Sequence, residues 1–224
     1  MCGRYQLKGN ADALQSYFGG FMMAQHQPRY NIAPTQSAPI VRSEQGRRVI
    51  KDLRFGLIPA WVQQTPDQPL VNARSESVFE KPSFRGSMQH HRCLVPATGF
   101  YEWQKGQKLK QPFLIKRSDQ PLFAFAGIWA SWQAHAQRIE SFAIITRPAG
   151  QTLESIHHRV PVTIEPEFYD TWLSPNTSKF TIEACLLAPD DDEWHYSAVS
   201  QRVNQVRHDD PQCEGPRAMQ QSLL

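Results

Sequence analysis

No run of apolar residues approaches the roughly 20 that a membrane-spanning helix needs, and the segment behind Arg4 (QLKGNADALQ) contains no apolar core of a secretory leader. The expectation is a cytoplasmic protein with no membrane partner. Cysteine is scarce. Cys2, Cys93, Cys185 and Cys213 are widely separated, with no C-x-x-C pair and no neighbouring cysteine–histidine ligand spacing. That argues against a disulfide framework and a structural zinc site, so neither a metal nor a cofactor is expected. Internal repeats, low-complexity tracts and long linkers are absent too, and 224 residues fit one domain running from 1 to 224, with a flexible tail expected from about 208.

Proline, by contrast, is plentiful at 17, and hydrophobic residues make up 40% of the chain. The first favours turns and short strands over a helix bundle; the second supports a packed core. Net charge is only +3, but it is unevenly spread. Residues 1–54 carry eight Lys/Arg against three acids, a net +5, whereas 165–194 carry eight acids, including the run DDDE, against Lys179, a net −7. The imbalance suggests a basic face suited to phosphates and an acidic region turned away from it; charges merely solvated on opposite surfaces fit equally well.

A short helix is expected over NADALQSYFGG, capped by Asn10, ended by Gly19, with Leu14 and Phe18 on one face. Strands are expected at APIVRS, RVIKDLRFGL, RCLVPATGFYEW, PFLIKR, PLFAFAGIW, ESFAIIT and RVPVTI. In PLFAFAGIW small residues fall on one side and phenylalanines on the other. Short helices fit AGQTLESI, SKFTIEACLL and PEFYDTWL, the last with Pro166 in its first turn. The longest irregular stretch, IPAWVQQTPDQPLVNAR, reads as a binding loop. The fold class is α+β: a single domain, mainly antiparallel β-sheet with a barrel-like core and short peripheral helices.

Four places carry chemistry. Behind Met1 stands Cys2. An initiator methionine is normally trimmed before a small side chain, which would leave Cys2 with both a thiol and an α-amine, each partly nucleophilic near neutral pH. A 1,2-aminothiol condenses with an aldehyde to an imine, and the tethered sulfur then closes a thiazolidine ring. A buried structural cysteine behind a retained methionine is the plain alternative. In LVNARSES, Asn72 can hydrogen-bond a carbonyl or hydroxyl, or cap a following helix, and Arg74 is of a phosphate-binding type. In ATGFYEWQ, Glu102 lies between Tyr101 and Trp103; pointing inward it becomes a useful acid or base, pointing outward an ordinary strand carboxylate. In ESIHHRVPV, a histidine at a helix-to-strand junction can shuttle protons near pH 7.

Taken in order, MCGRY, RYNIAPTQ, FGLIPAW, VNARSES, GFYEW, AGIW, IITRPA, HHRVPV and VSQRVNQV resemble the SOS-response-associated peptidase family, also called abasic-site processing proteins, from Cys2 to about Asn204. The resemblance implies a β-rich domain, a monomer, that binds single-stranded DNA containing abasic sites and crosslinks to the ring-opened sugar as a thiazolidine through Cys2. It implies that Asn72 holds the opened deoxyribose, that Glu102 moves protons around the N-terminal amine, and that His157 protonates the sugar oxygen and assists reversal. DNA contacts would come from Arg4, Asn31, Trp61, Arg74 and Arg159. It further implies association with the nucleoid or replication fork, a lyase activity, and a peptidase activity directed at Met1. His158 and His208 stand where Asp and Asn are frequent, and Ala130 where an acid is. Two other readings remain open: an N-terminal-nucleophile hydrolase using Cys2, and a noncovalent single-strand-binding module.

Overall fold

The structure of the chain, a computed structural model, describes residues 2–22, 25–104, 110–134, 137–187 and 194–216. In chain order the strands are β1 (Tyr5–Leu7), β2 (Phe21–Met22), β3 (Arg29–Ile32), β4 (Ser37–Glu44), β5 (Arg47–Phe55), β6 (Asn72–Arg74), β7 (Arg92–Ala97), β8 (Gly99–Trp103), β9 (Pro112–Arg117), β10 (Phe123–Ala134), β11 (Gln137–Pro148), β12 (Arg159–Pro161), β13 (Thr163–Ile164) and β14 (Trp194–Ala198). The helices are short: α1 (Ala11–Phe18), α2 (Arg85–His90), α3 (Gln151–Glu154), α4 (Tyr169–Leu173) and α5 (Lys179–Leu186). None is long and apolar enough to cross a membrane.

The α+β expectation holds, and the barrel is closed. Strands β5, β4, β7, β10 and β11 pair in turn as antiparallel neighbours, and β11 returns to β5 in parallel through Ser141–Arg54 and Phe142–Phe55. Closure removes the exposed edges that an open sheet would present. A second sheet, in the order β14, β9, β8, β1, β3, lies against this barrel. Aromatic edges join the two: the Tyr5 ring meets Phe55 and Phe125, Phe100 meets Phe125, and Trp194 meets Phe123.

Several sequence expectations are met closely. Helix α1 is capped by the Asn10 side chain, which accepts from the Ala13 N–H, and ends at Gly19 with φ 62°, a left-handed turn that suits glycine. Others are corrected. RCLVPATGFYEW is two strands, not one. At Thr98 the chain leaves the barrel for the second sheet, its N–H donating to the Gln6 carbonyl at 2.9 Å. RVPVTI likewise divides into β12 and β13, which pair with different strands. AGQTLESI forms only the single turn of α3, and Pro166 opens a 3-10 turn that precedes α4. β10 is buried on both faces along Phe123–Ile128, and Phe125 packs against Tyr5 and Phe100 of the second sheet.

The oppositely charged stretches touch through side chains. Arg48, from the basic N-terminal part, pairs with Asp170 of the acidic stretch at 2.7 Å, and Arg42 and Lys51 share Glu44. The DDDE run lies outside the described residues. The stretch read as a flexible tail is tied down through residue 216. A 3-10 turn spans Pro211–Glu214, Ser200 N–H donates to the Gly215 carbonyl at 2.8 Å, and Val199 bridges Pro216.

Candidate active site

Cys2 immediately precedes β1, and its neighbourhood is set by what β1 pairs with. Tyr5 lies opposite Phe100, and the Tyr101 N–H donates to the Arg4 carbonyl at 2.9 Å, so the N-terminus runs antiparallel to β8 and alongside Glu102. Cys2 is fully buried. Burial, and then the nearby Glu102 carboxylate, raise its thiol far above the ordinary range, so the sulfur is a protonated thiol at neutral pH.

Asn72 comes from β6, a three-residue strand running parallel to β11. Its side chain therefore caps no helix. Instead its Nδ2 donates to the Cys2 carbonyl at 3.0 Å. Its Oδ1 is buried without a hydrogen-bond partner among the described residues, an acceptor beside residue 2.

Glu102 points inward, resolving what alternation left open: it is 4% exposed, and its Oε1 stands 4.0 Å from His157 Nδ1. His157 follows α3, its own N–H donating to the Leu153 carbonyl at 2.9 Å. Nδ1 lies 3.1 Å from both the backbone N–H and the carbonyl oxygen of Arg159, so Arg159 holds the ring in place in either tautomer. The His158 ring lies tilted against that of His157, their centroids 4.4 Å apart. The four positions 2, 72, 102 and 157 thus meet around the N-terminus, brought there by β1, β6, β8 and the α3–β12 junction.

The five residues assigned to DNA divide differently. Arg4 Nη1 donates to Asn31 Oδ1 at 2.8 Å and to the Val203 carbonyl at 2.7 Å, and the guanidinium lies 5.8 Å from the Trp103 ring. Arg4, Trp103, Lys110, Gln201 and Asn204 line an open hollow of about 450 Å³. Asn31 is wholly buried, and its Nδ2 faces the carbonyls of Val203, Gln205 and His208, so its side chain is engaged inside the protein. Arg159 is also buried; its guanidinium pairs with both Glu76 oxygens and with the Thr146 carbonyl. Arg74 is exposed at the end of β6. Trp61 is 65% exposed and donates to the Pro82 carbonyl, beside a groove of about 830 Å³ whose lining includes Phe79, Arg85 and Lys179 and none of the four central residues.

Sequence reasoning missed Glu76, Asn204 and Asp209. Glu76 lies inside the motif that carries Asn72 and Arg74, and the juxtaposition of a carboxylate and Arg159 gives no local signal. Asn204 accepts from the Trp103 indole N–H at 2.7 Å across 101 residues. Asp209 sits in a run, HDDP, that resembles any solvated charge cluster.

Comparison with known proteins follows the same outline. The model of the family described as SOS response associated peptidase (SRAP) matches residues 1–206. A Bacillus subtilis protein named abasic site processing protein YoaM is 34% identical over 215 residues, covering 93% of this chain and 95% of that protein. The abasic site processing protein HMCES of Gallus gallus is 30% identical over 225 residues, 85% of this chain and 67% of that one. Among solved structures, an X-ray structure of a Bacteroides thetaiotaomicron protein superimposes with a TM-score of 0.87 at 26% identity, covering 97% of this chain and 100% of the other.

Proposed function

The chain belongs to the SOS response associated peptidase family, and from that premise we propose that it processes abasic sites in single-stranded DNA by bonding covalently to them through Cys2. The observation that carries the reading is the convergence of a buried carboxylate, an imidazole and an amide, whose acceptor has no partner among the described residues, on the residue that follows Met1.

An abasic site is a masked aldehyde. Release of Met1 by hydrolysis frees the Cys2 amine. The amine adds to the aldehyde carbon of the ring-opened deoxyribose, and the carbinolamine loses one water to give an imine. The Cys2 sulfur then bonds to that same carbon while the thiol proton passes to nitrogen, closing a neutral thiazolidine. One water leaves overall, and its return reverses the sequence. His157 supplies the proton that opens the sugar ring, and Glu102 takes and returns protons at the amine. Asn72 Oδ1 accepts from a sugar hydroxyl, and an unpaired strand needs no energy for base flipping.

The hydrolase alternative would use the freed amine as the base for the Cys2 thiol, whereas crosslinking uses that amine as the first nucleophile. In the crosslinking order the amine attacks first and the thiol delivers its proton second, so a protonated sulfur suits the step. A lyase reaction would proceed by β-elimination from the same imine, before ring closure removes it.

The test mixes the protein with an oligonucleotide bearing one abasic site. Denaturing electrophoresis and intact mass should report an adduct equal to the protein without Met1 plus the strand, less one water. Cys2→Ala should give none. Absence of an adduct from the wild-type protein, or an adduct that retains Met1, sinks the proposal. Turnover of an amide substrate without DNA would support the hydrolase, and equal binding of intact and abasic strands by Cys2→Ala and wild type, with no adduct, the noncovalent module.

A further inference from the structure

Asp209 lies beyond residues 1–206, the part of the chain matched by the family model, yet it is bonded to β3, the edge strand of the second sheet. Its Oδ1 accepts the backbone N–H groups of both Tyr30 and Asn31, the latter at 2.9 Å, and its Oδ2 accepts from Arg29 Nε. One carboxylate therefore grips three consecutive residues of β3. Charge-assisted bonds to backbone donors are among the stronger hydrogen bonds, and two of these donors have no flexibility of their own.

From β3 the connection continues to the site. Asn31 holds the C-terminal segment through the Val203, Gln205 and His208 carbonyls, and offers Oδ1 to Arg4. Arg4 Nη1 closes the loop on Val203. In the same segment Asn204 receives the Trp103 indole N–H, and Asp210, paired with Arg202, caps the turn that follows. Arg4 and Trp103 are thus fixed side by side in the open hollow, two residues from Cys2 and one from Glu102.

We infer that Asp209 is a positioning residue for DNA: it locks β3 to the C-terminal segment and so presents the Arg4 guanidinium, beside Trp103, to a phosphate of the single strand next to the lesion. This rests on the proposed reading of Arg4 as a DNA contact, and the experiment separates the two. Binding is measured on a single strand carrying an aldehyde-free abasic analogue, so that no covalent step intervenes, over a range of salt concentrations, for wild type, Arg4→Ala, Asp209→Ala, Asp209→Asn and the Arg4→Ala/Asp209→Ala double variant.

Loss of one single-strand phosphate contact lowers the slope of log affinity against log salt by about 0.7. Arg4→Ala and Asp209→Ala should each show that decrease, with affinity reduced about tenfold, on the scale of one charged hydrogen bond. The double variant should be no weaker than Arg4→Ala, because Asp209 acts through Arg4. Asp209→Asn keeps an oxygen for the Tyr30 and Asn31 N–H groups and should recover most of the affinity and the slope. Should Asp209→Ala leave the slope unchanged, or should its loss add to that of Arg4→Ala, Asp209 has no positioning role while Arg4 keeps its contact. No effect from Arg4→Ala itself overturns both, while adduct formation through Cys2 is scored separately.

Discussion

A carboxylate 4.0 Å from an imidazole, both buried, is a proton store placed where an amine must lose a proton and a sugar oxygen must gain one. His157→Ala removes the imidazole and leaves Asn72 and Cys2 in place. Adduct formation should slow by about 100-fold, the lower range of general acid–base contributions, while binding of an aldehyde-free strand stays at the wild-type level. Equal single-turnover rates in the two proteins would remove this role from His157. A second residue-scale prediction concerns Glu76. Its carboxyl, hydrogen-bonded by Arg159, drops from 4.5 to about 2. Because the folded value is the lower, the contribution is complete above about pH 4.5 and is lost as pH falls toward 2. Half of the Glu76 side chain is exposed, so the effect is modest. The melting-temperature gap between wild type and Glu76→Gln should be present at pH 7 and narrow steadily below pH 4.5; a gap constant from pH 7 to pH 3 contradicts the pairing.

At the scale of elements, what could be read depended on whether the signal was local. Helix α1 declared itself through Asn10 and Gly19, and the barrel strands through long apolar runs. β1 and β6 are three residues each; Gln6 is buried by bonding to Tyr101 and Thr98 across the chain, which no pattern announces. β14 buries only Trp194 and leaves its next residues exposed, so it carries no alternation. The residues meeting at the site were legible because each sits in a motif, but Asn72 read as readily as a helix cap until β6 paired with β11. In β10, the small residues mark close approach. A Cβ on Gly127 would lie 2.8 Å from Cys93 Sγ and 2.7 Å from Val95 Cγ2, side chains of neighbouring β7. Gly127→Ala should therefore destabilise by about 1–3 kcal/mol through overpacking. Chemical denaturation would reveal a lowered midpoint; an unchanged midpoint would mean that the barrel wall gives way freely.

At the scale of the molecule, the four central residues are drawn from positions 2, 72, 102 and 157, and no helix or hairpin contains two of them. They meet only when the barrel is closed and the second sheet is docked on it. The closing seam is narrow: Phe142 pairs with Phe55, the Gly56 N–H donates to the Phe142 carbonyl at 2.8 Å, and the Ile58 N–H to Ser141 Oγ at 2.9 Å. The stacked rings of Phe55 and Phe142, 5.1 Å apart, fill the space behind it, and Tyr5, three residues from Cys2, packs edge-on against Phe55. Barrel closure and the placing of the N-terminus are therefore one event, and the chain should unfold as a single cooperative unit. Phe142→Ala, which leaves a cavity at the seam, should cost about 3–5 kcal/mol. In a urea series, loss of adduct formation and loss of β-sheet circular dichroism should share one midpoint in the wild type and move together to lower urea in the variant. Adduct formation that survives well past the loss of sheet signal would show that the N-terminus needs no barrel to react, and the coupling of fold to site would fail.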